Sequence, residues 1–237
     1  ALMATNGDEI LDLAEKMHCE VAFEAAVGGG IPIIDPLKHS RFANEISSVL
    51  GIVNGTTNYM LTRMADTGAT YAAALAEAQE KGFAEADPTA DVDGFDAAAK
   101  IAILASIAFN SKVTLDQVPC EGIRLIAPVD FKIARDMGYV IKLLAVANHV
   151  PEGIDVRVHP TMVPREHPLA GVNGVYNAIY VVGDAVGETM FFGEGAGSGP
   201  AASSVMGDVL EVARHVQANI APWTSRATSD DLPLVDM

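Results

Sequence analysis

The chain has 237 residues, 50% of them hydrophobic and 19% charged, with a formal net charge of −16. That length suits one large domain or two small ones, and the apolar fraction is enough for a sizeable core and argues against disorder. The acidic balance argues against nucleic acid or an anionic membrane as a partner, because both select for an excess of Lys and Arg. Cys19 and Cys120 lie far apart and form no CxxC unit, so a disulfide scaffold or structural zinc site is not expected. The apolar run Ile101–Phe109 is too short to cross a bilayer, and Ala1–His18 has no basic region of the kind that opens a signal peptide. A soluble cytoplasmic protein is the expectation. The chain opens without Met, so it is also expected to be a piece of a longer protein.

In chain order, residues 8–17 place Ile10, Leu13, Ala14 and Met17 on one helical face. CEVAFEAAV (19–27) reads as a strand, ended by Gly28-Gly29-Gly30 and Pro32. EISSVLGIVN (45–54) reads as a second strand, running into Gly55-Thr56-Thr57-Asn58, which suits the start of a helix through Arg63. Thr70 can cap a helix over Tyr71–Lys81, with Gly82 as its stop. Phe95–Phe109 reads as a buried, Ala-rich helix and Asp130–Asp136 as a short one. From Val140 the period turns to two, and VIKLLAVANHV, IDVRVHPTMV, VYNAIYVVG and AVGETMFFG read as four strands. A last helix is predicted from Pro200 to Ala218, and residues 221–237 read as a linker or frayed tail. Together these predict an α+β fold, with helices packed on a mixed, mostly antiparallel sheet.

The segment EADPTADVDGFDAAAK (85–100) concentrates Glu85, Asp87, Asp91, Asp93 and Asp96 beside Lys100. An EF-hand reading with Gly94 at loop position 6 puts Thr89 where the first oxygen ligand belongs and Lys100 where a bidentate Glu belongs, so it fails at both ends. The plain reading is an acidic first turn on the helix from Phe95, favoured by the helix dipole, with Asp96 and Lys100 as an i,i+4 ion pair. The functional reading is a pocket for a substrate ammonium, whose three N–H donors are satisfied by two carboxylates and a carbonyl. Lys100, one helical turn on, would then donate a proton to an oxygen of the same molecule. The six histidines show neither HxxxH nor HxH spacing, and Ser203-Ser204 have no local base pattern for nucleophilic catalysis.

The run AQEKGFAEADPTADVDGFDAAAK (78–100) resembles the signature segment of the homoserine dehydrogenases, through Ala78, Gly82, Phe83, Ala84, Asp87-Pro88, Asp91, Gly94, Asp96 and Lys100. FEAAVGGGIPII (23–34), GIVNGTTNYML (51–61) and FFGEGAG (191–197) are similar to the same family, so the resemblance spans residues 1 to about 220. It implies NAD- or NADP-dependent interconversion of L-homoserine and L-aspartate 4-semialdehyde, in threonine, methionine and isoleucine biosynthesis, by a homodimer. It further implies that Lys100 and Asp96 are catalytic, and that Glu85, Asp91, Gly55, Thr56 and Phe83 bind substrate. Gly82, Gly195 and Gly197 would approach the cofactor. Glu24 and the carbonyls of Val27, Gly29 and Ile31 would bind a monovalent cation, sodium, for which oxygen-only ligation is suited. On residue chemistry alone Gly28-Gly29-Gly30 reads instead as a turn that needs positive φ, and it is the resemblance that favours the cation site.

GEGAG (193–197) follows a predicted strand and precedes a helix, as a phosphate-binding turn does, but it is not GxGxxG. Glu194 is an awkward neighbour for a pyrophosphate and is expected to face solvent. No βαβ unit with a glycine-rich turn is visible, so the main dinucleotide-binding half is expected to lie outside these residues. The resemblance divides the chain into the end of that domain (1–18), a substrate-binding and dimerisation domain (19–190), a segment returning to the nucleotide domain (191–220) and a linker or tail (221–237). By itself this chain is expected to have little or no dehydrogenase activity. A non-catalytic assembly domain and an acidic-loop cation-binding module are the competing classes.

Overall fold

The structure, a computed structural model, describes residues 2–222 and 232–235. Helix α1 (Leu2–Lys16) buries Ala4, Gly7, Leu11 and Ala14, a stripe at steps of three and four. The apolar face predicted for this region is therefore rotated: Leu13 and Met17 are exposed and only Ala14 of that set is buried.

Residues 19–27 are not a strand. They form a loop with a short 3-10 turn at Glu24–Ala26, followed by helix α2 (Ile34–Ser40), which the sequence pattern did not announce. The reason lies in Glu24, a buried carboxylate. Its oxygens accept from the backbone N–H groups of Ile33 (2.5 Å), Ile34 (2.7 Å) and Asp35 (2.9 Å), the free donors at the start of α2. The N–H of Glu24 donates to the Asp208 carboxylate at 3.0 Å, not to a neighbouring strand. A residue ten positions upstream thus caps a helix whose own N-cap, Ile33, has no oxygen to offer.

Strand β1 (Ile46–Ile52) leads into α3 (Gly55–Thr67), which Asn54 caps by accepting from Thr57 N at 2.9 Å and which Gly68 ends. Helix α4 (Tyr71–Glu80) is capped by Thr70, as predicted. The acidic segment holds a single helical turn, α5 (Thr89–Val92), before α6 (Phe95–Ala108). Gly94 joins the two at φ +86°, and a Cβ there would lie 2.7 Å from Cys120 Sγ, so both conformation and space call for glycine. Helix α7 (Pro128–Asp136) precedes four strands, β2 (Tyr139–Val150), β3 (Gly153–Pro164), β4 (Tyr176–Gly183) and β5 (Gly187–Glu194), then α8 (Ser198–Gln217). These are the four strands and the final helix read from the sequence.

The sheet order is β3-β2-β1-β4-β5, and every pairing within it is antiparallel. The α+β expectation holds, and the sheet is purely antiparallel, not mixed. One face carries the main core, in which α6 lies against β1, β2 and β3 with Ala97, Ala98, Ile101, Ala102, Leu104 and Ala105 buried. Alanines at the contact let the helix approach the sheet closely. The other face carries a smaller cluster of Ile52, Leu144, Val146, Val163, Leu169 and Tyr180.

Leu232–Val235 is tied down and not frayed: Ile154 N donates to Pro233 O (2.8 Å) and Val235 N to Ile154 O (2.9 Å). The remainder of the predicted tail beyond residue 222 lies outside the described residues. No helix among the described residues is long and apolar enough to cross a membrane.

Candidate active site

The site is built where β1 passes into α3. Asn54, 6% exposed, turns its Oδ1 to Thr57 N and Thr57 Oγ1 (both 2.9 Å), so the cap holds the side chain in one orientation. Its Nδ2 is left to reach across to the acidic segment, donating to Asp91 Oδ1 (2.7 Å) and Asp96 Oδ2 (2.9 Å). Asp91 comes from α5 and Asp96 from the first turn of α6, brought side by side by the Gly94 bend. Asp96 Oδ2 also accepts from Lys100 Nζ at 2.7 Å, and Lys100 Nζ donates to Val53 O at 2.7 Å. The i,i+4 pair expected from the sequence is therefore present, and the end of β1 anchors its lysine.

A cavity of about 530 Å³ opens over this group, lined by Asn54, Gly55, Thr56, Gly82, Phe83, Asp91, Asp96 and Lys100. Val175, Asn177, Glu194, Gly195, Ala196 and Gly197 complete the lining. Nine of the residues that the family resemblance implied as catalytic, substrate-binding or cofactor-binding thus meet in one place: Lys100, Asp96, Asp91, Gly55, Thr56, Phe83, Gly82, Gly195 and Gly197. Glu85 does not join them: it is exposed and outside the lining, and its carbonyl accepts from Gln79 Nε2. Glu194 lines the cavity from an exposed position, and its carbonyl accepts from Gly30 N.

The Gly82-Phe83 wall is held by α3 and α4. Thr56 Oγ1 donates to Phe83 O (2.5 Å), and the Phe83 ring packs on Tyr59 with centroids 4.9 Å apart. Tyr59 OH and Arg63 Nε both donate to Glu77, while Lys81 Nζ donates to Glu77 and to the Tyr59 hydroxyl. Hydrogen bonds from Lys81, then Tyr59 and Arg63, hold the Glu77 carboxyl down at about 2.

Glu24, Val27, Gly29 and Ile31 stand apart from the cavity lining, in the loop between α1 and α2. The Glu24 carboxylate is engaged by three N–H donors, and Gly29 O accepts from Ser204 Oγ of α8 at 2.7 Å. No described backbone N–H donates to the carbonyls of Val27 and Ile31. Gly28 and Gly29 have positive φ, and a Cβ on Gly29 would come within 2.6 Å of Gly195 O, so the loop also packs under the GEGAG turn.

Sequence reading missed two residues. Asn54 was legible as a helix cap in the strand-Asn-Gly-Thr-Thr pattern, but not as the donor that joins Asp91 to Asp96. Asn177, a buried asparagine in an apolar strand, is the second; the polar break in VYNAIYVV was the signal.

The family model described as homoserine dehydrogenase matches residues 32–210. A homoserine dehydrogenase of Synechocystis sp. is 53% identical over 216 residues, covering 90% of this chain and 50% of that protein. One of Corynebacterium glutamicum is 51% identical over 242 residues, covering 100% and 54%. The crystal structure of a homoserine dehydrogenase from Thiobacillus denitrificans superposes with a TM-score of 0.95 at 43% identity, over 99% of this chain and 56% of that one. The chain spans about half the length of the curated relatives it matches. It belongs to the homoserine dehydrogenase family.

Proposed function

We propose that this chain is the substrate-binding part of an NAD- or NADP-dependent homoserine dehydrogenase that interconverts L-homoserine and L-aspartate 4-semialdehyde in the biosynthesis of threonine, methionine and isoleucine. The observation that carries this reading is the linked set Asn54, Asp91, Asp96 and Lys100 at the floor of one cavity. Asp91 and Asp96 offer acceptors for an ammonium, and Lys100 offers an N–H to a substrate oxygen. In the reductive direction Lys100 Nζ gives a proton to the aldehyde oxygen as the carbonyl carbon gains hydride; the C=O π bond breaks and C–H and O–H bonds form. Asp96 holds the ammonium of Lys100 toward the cavity through their 2.7 Å contact. By resemblance to the family Glu85 is a further partner for the substrate ammonium, although it stands exposed and outside the lining.

The nicotinamide cofactor supplies the hydride. Gly82, Gly195 and Gly197 offer side-chain-free backbone against which it can lie, consistent with their place on the cavity wall. The dinucleotide-binding half belongs to the rest of the protein. Residues 1–18 and 191–220 adjoin it, and 19–190 form the substrate-binding and dimerisation domain. Val205, Met206, Val209 and Leu210, all exposed on α8, are the apolar surface that half would cover. The backbone carbonyls of Val27, Gly29 and Ile31 would hold a sodium ion, and those of Val27 and Ile31 receive no backbone N–H among the described residues. The Glu24 carboxylate, engaged by three N–H donors, would not join them. The protein acts in the cytoplasm as a homodimer, with β5, an edge strand bearing exposed Met190 and Phe192, in the interface.

The test is formation of NADH or NADPH from L-homoserine by the full-length protein, with Glu85→Gln alongside. Turnover whose KM for L-homoserine rises in the variant supports the reading. No homoserine-dependent turnover by the wild type overturns it. Light scattering that shows only monomer at micromolar concentration removes the dimer.

A further inference from the structure

The chain carries 15 Lys and Arg against 31 Asp and Glu, yet three of its cations meet at one small pocket that shares no residue with the active-site cavity. It encloses about 220 Å³ where the C-terminal half of α3, α7 and the start of β2 come together. Arg135 comes from the last turn of α7, and its Nη2 donates to Ala65 O of α3 at 2.7 Å. Arg165 follows β3. The pairing of Tyr139 with Pro164, and a hydrogen bond from Arg165 N to Gly138 O (3.1 Å), hold it beside the end of α7. Lys142, the third cation, belongs to β2 and is 3% exposed.

None of the three forms an ion pair with a described residue. The Lys142 ammonium is bonded to Asn58 Oδ1, Asn173 Oδ1 and the Val172 carbonyl. Those neutral oxygens satisfy its N–H groups but do not cancel its charge, and a buried charge without a counter-charge is costly. Burial accordingly pushes this ammonium down to about 8. One carboxylate, Asp66, lines the pocket with the three cations; Asp136 and Glu166, sequence neighbours of the two arginines, are exposed and outside the lining. The pocket is thus cationic in a chain of formal net charge −16. Two unpaired guanidiniums are planar N–H forks, which match the oxygens of phosphate or carboxylate. Pockets for drug-sized ligands hold about 300–1,000 Å³, so this one suits a smaller ion.

We propose that this pocket is a second binding site, for a small divalent oxyanion such as phosphate or a short dicarboxylate, held by the guanidiniums of Arg135 and Arg165 and balancing the charge of Lys142. The site does not depend on the function proposed above, because none of these residues lines the active-site cavity.

The test is isothermal calorimetry of the full-length protein with sodium phosphate and with sodium succinate. Sodium chloride fixes the ionic strength, and saturating dinucleotide fills the cofactor's own phosphate sites. The expected result is saturable binding of one equivalent, weakened about tenfold or more when Arg135→Gln and Arg165→Gln are combined, the size of one lost hydrogen bond to a charged group. The tighter of the two ligands identifies the source of the oxyanion. That ligand should also raise the thermal midpoint of the wild type and not that of the double variant. Turnover of L-homoserine in chloride should stay within about twofold in the double variant; a larger loss would tie the arginines to the active site and overturn a separate one. Should the double variant fail to fold, each single variant should still weaken binding at least about threefold. Heat from both ligands no greater than that from matched sodium chloride, or equally tight binding by the variants, would overturn the site.

Discussion

Lys100 and Lys142 are both drawn out of water, but their surroundings differ in kind. Lys100 bonds to a carboxylate, Asp96, and to one carbonyl, and it lines the large cavity. Lys142 on β2, 3% exposed, is held by three neutral oxygens: Asn58 Oδ1 (3.3 Å), Asn173 Oδ1 (2.9 Å) and the Val172 carbonyl. Burial pushes its ammonium down to about 8, with the more distant Asp66 offsetting part of the effect. By pKa alone Lys142 is the tempting catalytic base. Its geometry assigns it elsewhere: all three of its ammonium protons have acceptors, and they pin residues 172–173 to α3, where Asn58 Nδ2 also donates to Val172 O and Tyr176 O. A strongly perturbed lysine here marks a structural staple behind the Val175–Asn177 wall. The lysine paired with a carboxylate is the one that lines the large cavity.

The contrast is broken most sharply by removing each amine. Lys100→Ala in the full-length enzyme should lower kcat by about 10²–10⁴-fold with the fold intact, the range for a lost general acid. Lys142→Met should leave kcat within an order of magnitude, so kcat values from the two variants that fall together would erase the distinction. Glu24→Gln is next in size. It sets an N–H₂ group against backbone donors in a buried cap, and chemical denaturation should show a loss of about 1–3 kcal/mol. Asn54→Ala removes a helix cap worth about 1 kcal/mol and also frees Asp91 from Asp96, so it should lower the thermal midpoint and raise the KM for L-homoserine together.

The smallest effect is the pH slope of Lys142. A lysine whose folded pKa lies below its unfolded value binds fewer protons when folded, so folding gains stability as pH rises through that window. With a folded value of about 8, stability should increase by about 1 kcal/mol between pH 7 and pH 9. Lys142→Met should flatten that slope in denaturant titrations. Above pH 9 opposing contributions enter, since burial raises the Cys120 thiol to about 11 and the hydrogen bond with Glu188 raises Tyr180 to about 12. Both groups favour the fold in their neutral forms, and that contribution is lost at higher pH.

How far the molecule was legible from its residues depended on the distance over which each contact acts. The Thr70 cap, the alternation in the four late strands and the Asp96–Lys100 pair all act within a turn or along one strand, and all were read correctly. The misreadings share the opposite feature. CEVAFEAAV has strand-like composition, yet Glu24 caps α2 and its N–H binds Asp208, 184 residues away. On α1, Leu13 and Met17 belonged to a plausible apolar stripe, and only the position of α6 decided that Leu11 and Ala14 face inward. Glu85 carried a clear sequence signal but lies outside the cavity, while Asn177 carried almost none and lies inside it.

By itself, then, the sequence determined which segments are helices or strands where period and caps were strong, the acidic first turn before α6, and the family to which the chain belongs. The tertiary structure alone decided that β1 takes the centre of the sheet between β2 and β4, that Asn54 reaches Asp91 and Asp96, and that Asn177 packs beside Gly55 and Gly195. The physical reason is range. Helix periodicity, capping and i,i+4 pairing are fixed by backbone geometry within a few residues, whereas a hydrogen bond between distant segments exists only once the core has packed and chosen which surfaces meet.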